Sequence, residues 1–205
     1  MNNKNFGAEF WNERYNQKDY LYGLEPNVFF KSQIVKYRPG NLFLPGDGDG
    51  RNSVYAASLG WKVDTVDFST VAIEKAKKFA NSFRVKINHY EADLSLYNPK
   101  INYYDAAGLI FVHLPPSTRK NFHTKLINSL APSGILIVEV FEKKQLGKTS
   151  GGPQSEEMLY SVTELENDFK DLQTIYLNEE LVELKESEKH FGEANVIRYV
   201  GMKIK

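Results

Sequence analysis

The densest chemical signal in the chain is Leu44-Pro45-Gly46-Asp47-Gly48-Asp49-Gly50-Arg51-Asn52, in which three glycines alternate with two aspartates. Glycines let a backbone bend tightly and approach a ligand, and the free N–H groups opening a following helix attract a carboxylate or phosphate. A structural β–α turn can have the same composition. Asp67 follows about 20 positions after Gly46, the spacing at which an acid closing a second strand accepts hydrogen bonds from ribose hydroxyls. Alone it could equally cap the helix expected from about Ser69. Asp93, in Glu91-Ala92-Asp93-Leu94, is a third candidate, able to accept from the exocyclic amine of an adenine. Three such features in order carry more weight than any one of them.

The glycine spacing bears on the ligand. A nicotinamide dinucleotide fingerprint reads G-x-G-x-x-G, but here the third glycine comes one place early, at Gly50, and Arg51 fills the fingerprint's last position. The shorter G-x-G-x-G form favours an adenosyl ligand without pyrophosphate. Gly147-Lys148-Thr149 imitates the end of a phosphate-binding loop, yet Glu142 stands where that loop needs its first glycine. Neither a G-x-S-x-G elbow nor an H-E-x-x-H pair is present, so hydrolase chemistry has no nucleophile or metal site to use. The chain has no cysteine, and histidines at 89, 113, 123 and 190 lack zinc-ligand spacing, so no metal is expected.

The elements that would position these residues form a strand–loop–helix rhythm from about residue 41. An apolar strand at 42–44 leads into the glycines and a helix over 52–59. A strand at 62–66 ends at Asp67, and apolar residues at helical spacing predict a helix over 70–82. A third strand is expected at 85–90. The apolar run 105–111, which includes Leu109, reads as a central parallel strand covered on both faces. A helix over 117–130 with Ser117 as cap, a turn at 131–134, a strand at 134–140 and a helix over 162–169 follow. Alternating segments 172–184 and 196–203, joined by a polar connection at 185–194, suggest an antiparallel pair at the sheet edge. Residues 1–38, rich in aromatics with one short helix at 27–36, read as a cap or lid, and 39–205 as a single α/β core.

Lys plus Arg balance Asp plus Glu at 26 each, so no basic excess is available for a phosphate backbone and nucleic acid is not an expected partner. The longest apolar stretch, 106–112, is far below the ~20 residues of a membrane span. A cytoplasmic protein, monomeric or weakly dimeric, with a small-molecule substrate and no membrane partner, is the expectation.

Several stretches together resemble one family. Phe10-Trp11-Asn12-Glu13-Arg14-Tyr15, Tyr22-Gly23-Leu24-Glu25-Pro26-Asn27, the Gly46 to Asn52 loop, Val66-Asp67-Phe68-Ser69, Ala92-Asp93-Leu94, Ile110-Phe111-Val112-His113-Leu114-Pro115-Pro116, Leu130-Ala131-Pro132-Ser133-Gly134 and Gly151-Gly152-Pro153 are similar to class I S-adenosylmethionine-dependent methyltransferases, within them the tellurite-resistance-like and thiopurine-methyltransferase-like small-molecule group. The resemblance implies a Rossmann-like, doubly wound, seven-stranded, mostly parallel sheet with the last strand antiparallel, and S-adenosylmethionine as cofactor. It places Trp11, Tyr15, Tyr22, Gly46, Asp47, Gly48, Arg51, Asn52, Asp67, Phe68, Ser69, Ala92, Asp93, Leu94 and Leu109 around that cofactor. One position departs: Leu44 stands where the family usually carries the acid that helps hold the cofactor's amino group, and Asp47 or Asp49 could take over that contact.

A sulfonium already activates its methyl, so such an enzyme mainly aligns a nucleophile and excludes water. His113, just past the central strand, could be a base or substrate contact, or could fix the proline-rich turn. The expected acceptor is a small, soft or anionic nucleophile, a thiol or a chalcogen oxyanion. Two other classes stay open: a non-catalytic S-adenosylmethionine-binding sensor or scaffold, motivated by Leu44, and a nicotinamide oxidoreductase, disfavoured by the glycine spacing.

Overall fold

The computed structural model describes residues 7–17 and 19–205; positions 1–6 and 18 of the expected cap lie outside the described residues. After two short helices, α1 (Ala8–Tyr15) and α2 (Val28–Ile34), the chain alternates: β1 (Asn41–Pro45), α3 (Arg51–Ser58), β2 (Lys62–Asp67), α4 (Thr70–Ser82), β3 (Ile87–Glu91), β4 (Tyr104–Ile110), α5 (Pro116–Ser129) and β5 (Leu130–Phe141). It closes with α6 (Val162–Asp168), β6 (Leu172–Ser187) and β7 (His190–Lys203). The sheet order is β3-β2-β1-β4-β5-β7-β6. β3, β2, β1, β4 and β5 pair in parallel, and β7 runs antiparallel to both β5 and β6. This is the doubly wound, seven-stranded α/β sheet expected from the sequence.

Local chemistry accounts for the elements. β1 and β4 are apolar and almost wholly buried because helices cover both sheet faces. α3 stops where Gly60, at φ 95°, turns the chain. α4 begins where the Ser69 hydroxyl accepts from Ala72 N at 3.1 Å, and α6 begins on a capping box between Ser161 and Glu164. No helix among the described residues is long and apolar enough to cross a membrane.

Four local readings need correction. α1 lies in a stretch the sequence left without an element; its aromatics Phe10, Trp11 and Tyr15 stack along the helix, and Tyr15 continues onto Tyr22. α5 begins at Pro116 with Pro115 in the cap position and no side-chain cap bond, so Ser117 is not the cap; proline suits the first turn because its missing N–H has no helical partner there. Residues 131–134, read as a turn, lie inside β5 as an irregularity, with Ser133 at φ 65° and a shift of register opposite Tyr104 and Ala106. The polar connection 185–194 is mostly strand: β6 continues to Ser187 and β7 starts at His190.

That last correction shapes the site. Phe141, the end of β5, pairs with Val196, so residues 190–195 project beyond the carboxyl edge of the parallel strands and carry the hairpin tip over it. Chain order reverses between β1 and β4, where doubly wound sheets leave a crevice for ligands.

Candidate functional site

A cavity of about 910 Å³ opens at this switch point. On one side are the exits of β1, β2 and β3; on the other are the exits of β4 and β5 and the overhanging hairpin. α1 and the segment after it cover the top.

The β1 exit is the glycine loop. Gly48 has φ 64°, and a Cβ there would lie 2.2 Å from the Tyr15 hydroxyl, so only glycine lets Tyr15 pack down on the loop. Gly48 N donates to Asp67 Oδ2 at 3.0 Å, and Ser69 N donates to Asp67 Oδ1 at 2.9 Å. Asp67 therefore does steady the start of α4, as the capping alternative held, and it also lines the cavity, where each oxygen retains acceptor capacity. Burial lifts its pKa to about 6 against these backbone donors. Asp93, beyond β3, accepts from Ser95 N through Oδ1 at 2.7 Å and likewise lines the cavity.

The two loop aspartates differ. Asp49 Oδ2 accepts from Leu21 N at 2.8 Å, anchoring the cap. Both carboxylate oxygens of Asp47 are buried without a hydrogen-bond partner. Burial drives the Asp47 pKa up to about 8; Ser53 nearby lowers it somewhat, but the Ser53 hydroxyl is committed to the Gly50 carbonyl at 3.1 Å. A buried carboxylate without partners is costly and calls for a ligand or a proton. Leu44, at the position of the usual family acid, is 2% exposed and packs in the core.

At the β4 exit Phe111 has φ 53°, rare for a bulky residue, and is held there by its N–H on the Glu139 carbonyl at 2.7 Å. The twist stacks the Phe111 ring on Phe141, centroids 4.5 Å apart, and edges it against His190 at 4.7 Å. His113 lines the cavity too, but both ring nitrogens are engaged: Nδ1 with the Met158 carbonyl at 2.8 Å, and Nε2 accepting from Phe141 N at 3.3 Å. Burial lowers its pKa to about 4. This geometry leaves no lone pair free to take a proton and makes His113 the fixing element of the turn.

The overhanging hairpin supplies two groups the sequence reading did not single out. His190 Nδ1 lies 2.9 Å from Glu186 Oε2, and the same oxygen accepts from Arg51 at 2.9 Å. Burial alone would raise Glu186, but the bond from His190 and the Arg51 guanidinium hold it at about 2. Asn27 extends the network, donating to Glu186 and to Glu139, which pairs with Arg198 at 2.6 Å. His190 and Gly192, in a polar stretch of mixed charge between two apolar alternating segments, are the sequence trace of this cluster.

Of the cofactor-side residues expected from the sequence, the fold brings Trp11, Tyr15, Tyr22, Gly46, Asp47, Arg51, Asn52, Asp67, Phe68, Asp93 and Leu94 to the cavity. Gly48, Ser69, Ala92 and Leu109 are not on its wall: Gly48 and Ser69 act through backbone bonds to Asp67, Ala92 packs against the core, and Leu109 is wholly buried in it. Asn52 accepts from Asn27 N at 2.9 Å, tying the cap to α3.

Residues 45–134 match the family model of a methyltransferase domain. That match spans 90 of the 205 residues, from the end of β1 into β5, and marks the chain as an enzyme of the S-adenosylmethionine-dependent methyl-transferring type, with S-adenosylmethionine as cofactor. No curated protein matches the sequence. Among solved structures, TehB from Haemophilus influenzae superposes with a TM-score of 0.74 at 17% identity, over 96% of this chain and 66% of that one. NodS, an N-methyltransferase from Bradyrhizobium japonicum WM9 in complex with S-adenosyl-L-homocysteine, gives 0.72 at 13% identity over 97% and 98% of the two chains. A SAM-dependent methyltransferase from Methanosarcina mazei gives 0.69 at 16% over 88% and 99%. At such identities the likeness is one of fold, and the methyltransferase's residue roles rest on its own geometry.

Proposed function

We propose that the methyltransferase transfers the cofactor's methyl group to a small, soft or anionic nucleophile, and that Asp47 replaces the missing acid at Leu44. The observation that carries this reading is the buried, unpartnered Asp47 carboxylate on the cavity wall, suited to an ammonium. Asp67 would accept the ribose hydroxyls, its orientation fixed by Gly48 N and Ser69 N, and Asp93 the adenine amine. These groups fit the zwitterionic and nucleoside parts of the cofactor. When bound, S-adenosylmethionine supplies an electrophilic methyl on a sulfonium. The chain's own contribution is to position and to exclude water: Trp11, Tyr15 and Tyr22 cover the cavity, while Phe111 and Phe141 form an apolar wall for the acceptor.

The lid favours a small acceptor, and the balanced charge gives no support to a polyanion. The test is labelled-methyl transfer to thiols, selenite, tellurite, RNA and bulk protein, run beside calorimetric binding of S-adenosylhomocysteine. Label on a small acceptor is expected. Label on RNA or protein alone overturns the substrate class, and binding with no transfer to any acceptor favours a non-catalytic sensor or scaffold.

A further inference from the structure

The Glu186–Arg51 ion pair is buried, with both side chains 7% exposed. It holds one edge of an imidazole that the catalytic reading has not used. Because Glu186 is an acceptor only, the His190 Nδ1 carries the ring hydrogen and Nε2 keeps its lone pair. Among the described residues nothing hydrogen-bonds Nε2, and His190 lines the cavity on the acceptor side, between Tyr22 at 4.5 Å and Phe111 at 4.7 Å. Nε2 faces Gly151: a Cβ there would come within 3.2 Å of it and within 2.7 Å of Cδ2, so glycine at 151 keeps that edge of the ring clear. A histidine oriented by a carboxylate, lining a ligand cavity and with its other nitrogen unbonded, is the arrangement of a general base.

We propose that His190 is the proton acceptor for a protic acceptor molecule of the thiol class, and that Glu186 positions it. This rests on the methyl-transfer reading above. As the acceptor's sulfur forms its bond to the methyl carbon, the bond from that carbon to the cofactor's sulfonium breaks and S-adenosylhomocysteine leaves. The S–H proton passes to His190 Nε2 and from the imidazolium to solvent. Charge balances: one sulfonium cation and a neutral thiol give two neutral thioethers and one proton.

The groups that bear on the ring are Glu186 from β6, Arg51 from α3, Arg14 from α1, Tyr22 from the cap and His113 after β4, and Glu188 and Lys189 at the hairpin tip line the same cavity. Burial and the two arginines lower the His190 pKa, against Glu186, so the ring is neutral and able to accept at pH 7. The apolar wall of Phe111 and Phe141 disfavours a thiolate in the ground state and favours the neutral thiol. An alkyl thiol is mostly protonated at neutral pH, so the base has work to do.

The probes are 2-mercaptoethanol, protonated at pH 7, and 4-nitrothiophenol, already ionised there. With His190→Gln, kcat for 2-mercaptoethanol should fall by about 100-fold, a common worth of a general base, while 4-nitrothiophenol loses less than about threefold. S-adenosylhomocysteine affinity by calorimetry should stay within about twofold, which also reports folding. Glu186→Gln should lower kcat for 2-mercaptoethanol more than it raises KM, and in nitrogen-15 NMR it should disturb the Nδ1-protonated tautomer expected of the wild type. Equal losses for the two thiols, or an Nε2-protonated tautomer in the wild type, overturns the assignment. A wild type that binds S-adenosylhomocysteine but methylates neither thiol overturns the thiol class while leaving the cofactor reading standing.

Discussion

Asp47 and Asp49 flank Gly48 on one loop, and only one is satisfied: Asp49 accepts from Leu21 N at 2.8 Å, while both oxygens of Asp47 are buried and unpartnered. The pair separates two jobs that the sequence leaves interchangeable. Asp49 holds the cap, and the proposed function gives Asp47 to the cofactor's ammonium.

This contrast predicts a trade between stability and binding at Asp47. Its pKa rises from the ordinary aspartate range to about 8 on folding, so the stability linked to its protonated form is full below about pH 4 and is lost as pH rises through about 8. Asp47→Asn, which cannot ionise, should therefore melt higher than the wild type at pH 8, by roughly 1 to 3 kcal/mol of stability, the usual cost of an unpaired buried polar group. The same variant should bind S-adenosylhomocysteine more weakly. In the wild type, affinity should rise between pH 6 and 8 with proton release, read as an enthalpy that depends on the buffer. Binding without proton linkage would remove Asp47 from the ammonium role.

Cap closure is the second prediction. α1 is fastened to α4 by Asn12, whose Oδ1 accepts from the Ser69 hydroxyl at 2.8 Å, and Lys75 donates to the carbonyls of Gln17 and Asp19 at 2.6 and 2.7 Å. Hydrogen exchange in residues 8–15 should slow when S-adenosylhomocysteine binds and should be faster in Asn12→Ala. That variant should lose about 1 kcal/mol of binding, the worth of an ordinary hydrogen bond. Exchange equally slow with and without ligand contradicts a lid.

For His113 the expected effect is on stability. With both ring nitrogens bonded to backbone at 2.8 and 3.3 Å, His113→Phe strands a carbonyl and an N–H and should cost about 1 to 3 kcal/mol in denaturant unfolding. The shape of the pH–rate profile should not change. A lost pH limb in this variant, with normal stability, would restore His113 as the base.

The core of this fold was legible because its signals are local. The apolar run 105–111 reads as a central strand from composition alone, close to the observed β4, and Asp67 reads from its spacing to the glycines. The overhanging hairpin was not legible in the same way. Glu186 and His190 lie in a polar stretch that looks like a loop, and only pairing with β5 through Val196 shows that it overhangs the cavity. The Arg51–Glu186 ion pair joins α3 to β6 across most of the chain, a contact no local pattern encodes. His113 drew notice through its neighbours Leu114, Pro115 and Pro116, yet its nitrogens are taken by Met158 and Phe141, partners set by tertiary packing. Ala92 and Leu109 follow the same logic, being near the site in sequence terms but facing the core.

In the proposed function the crevice between β1 and β4 binds the cofactor through Asp67. Calorimetric titration of S-adenosylhomocysteine into the wild type and Asp67→Ala tests it most directly. One saturable site is expected in the wild type, tighter than for NADH, with a loss of ~1 to 3 kcal/mol in a still-folded Asp67→Ala, the cost of removing a charged hydrogen-bonding partner. Equal affinity in the two proteins, or no binding to the folded wild type, would contradict it.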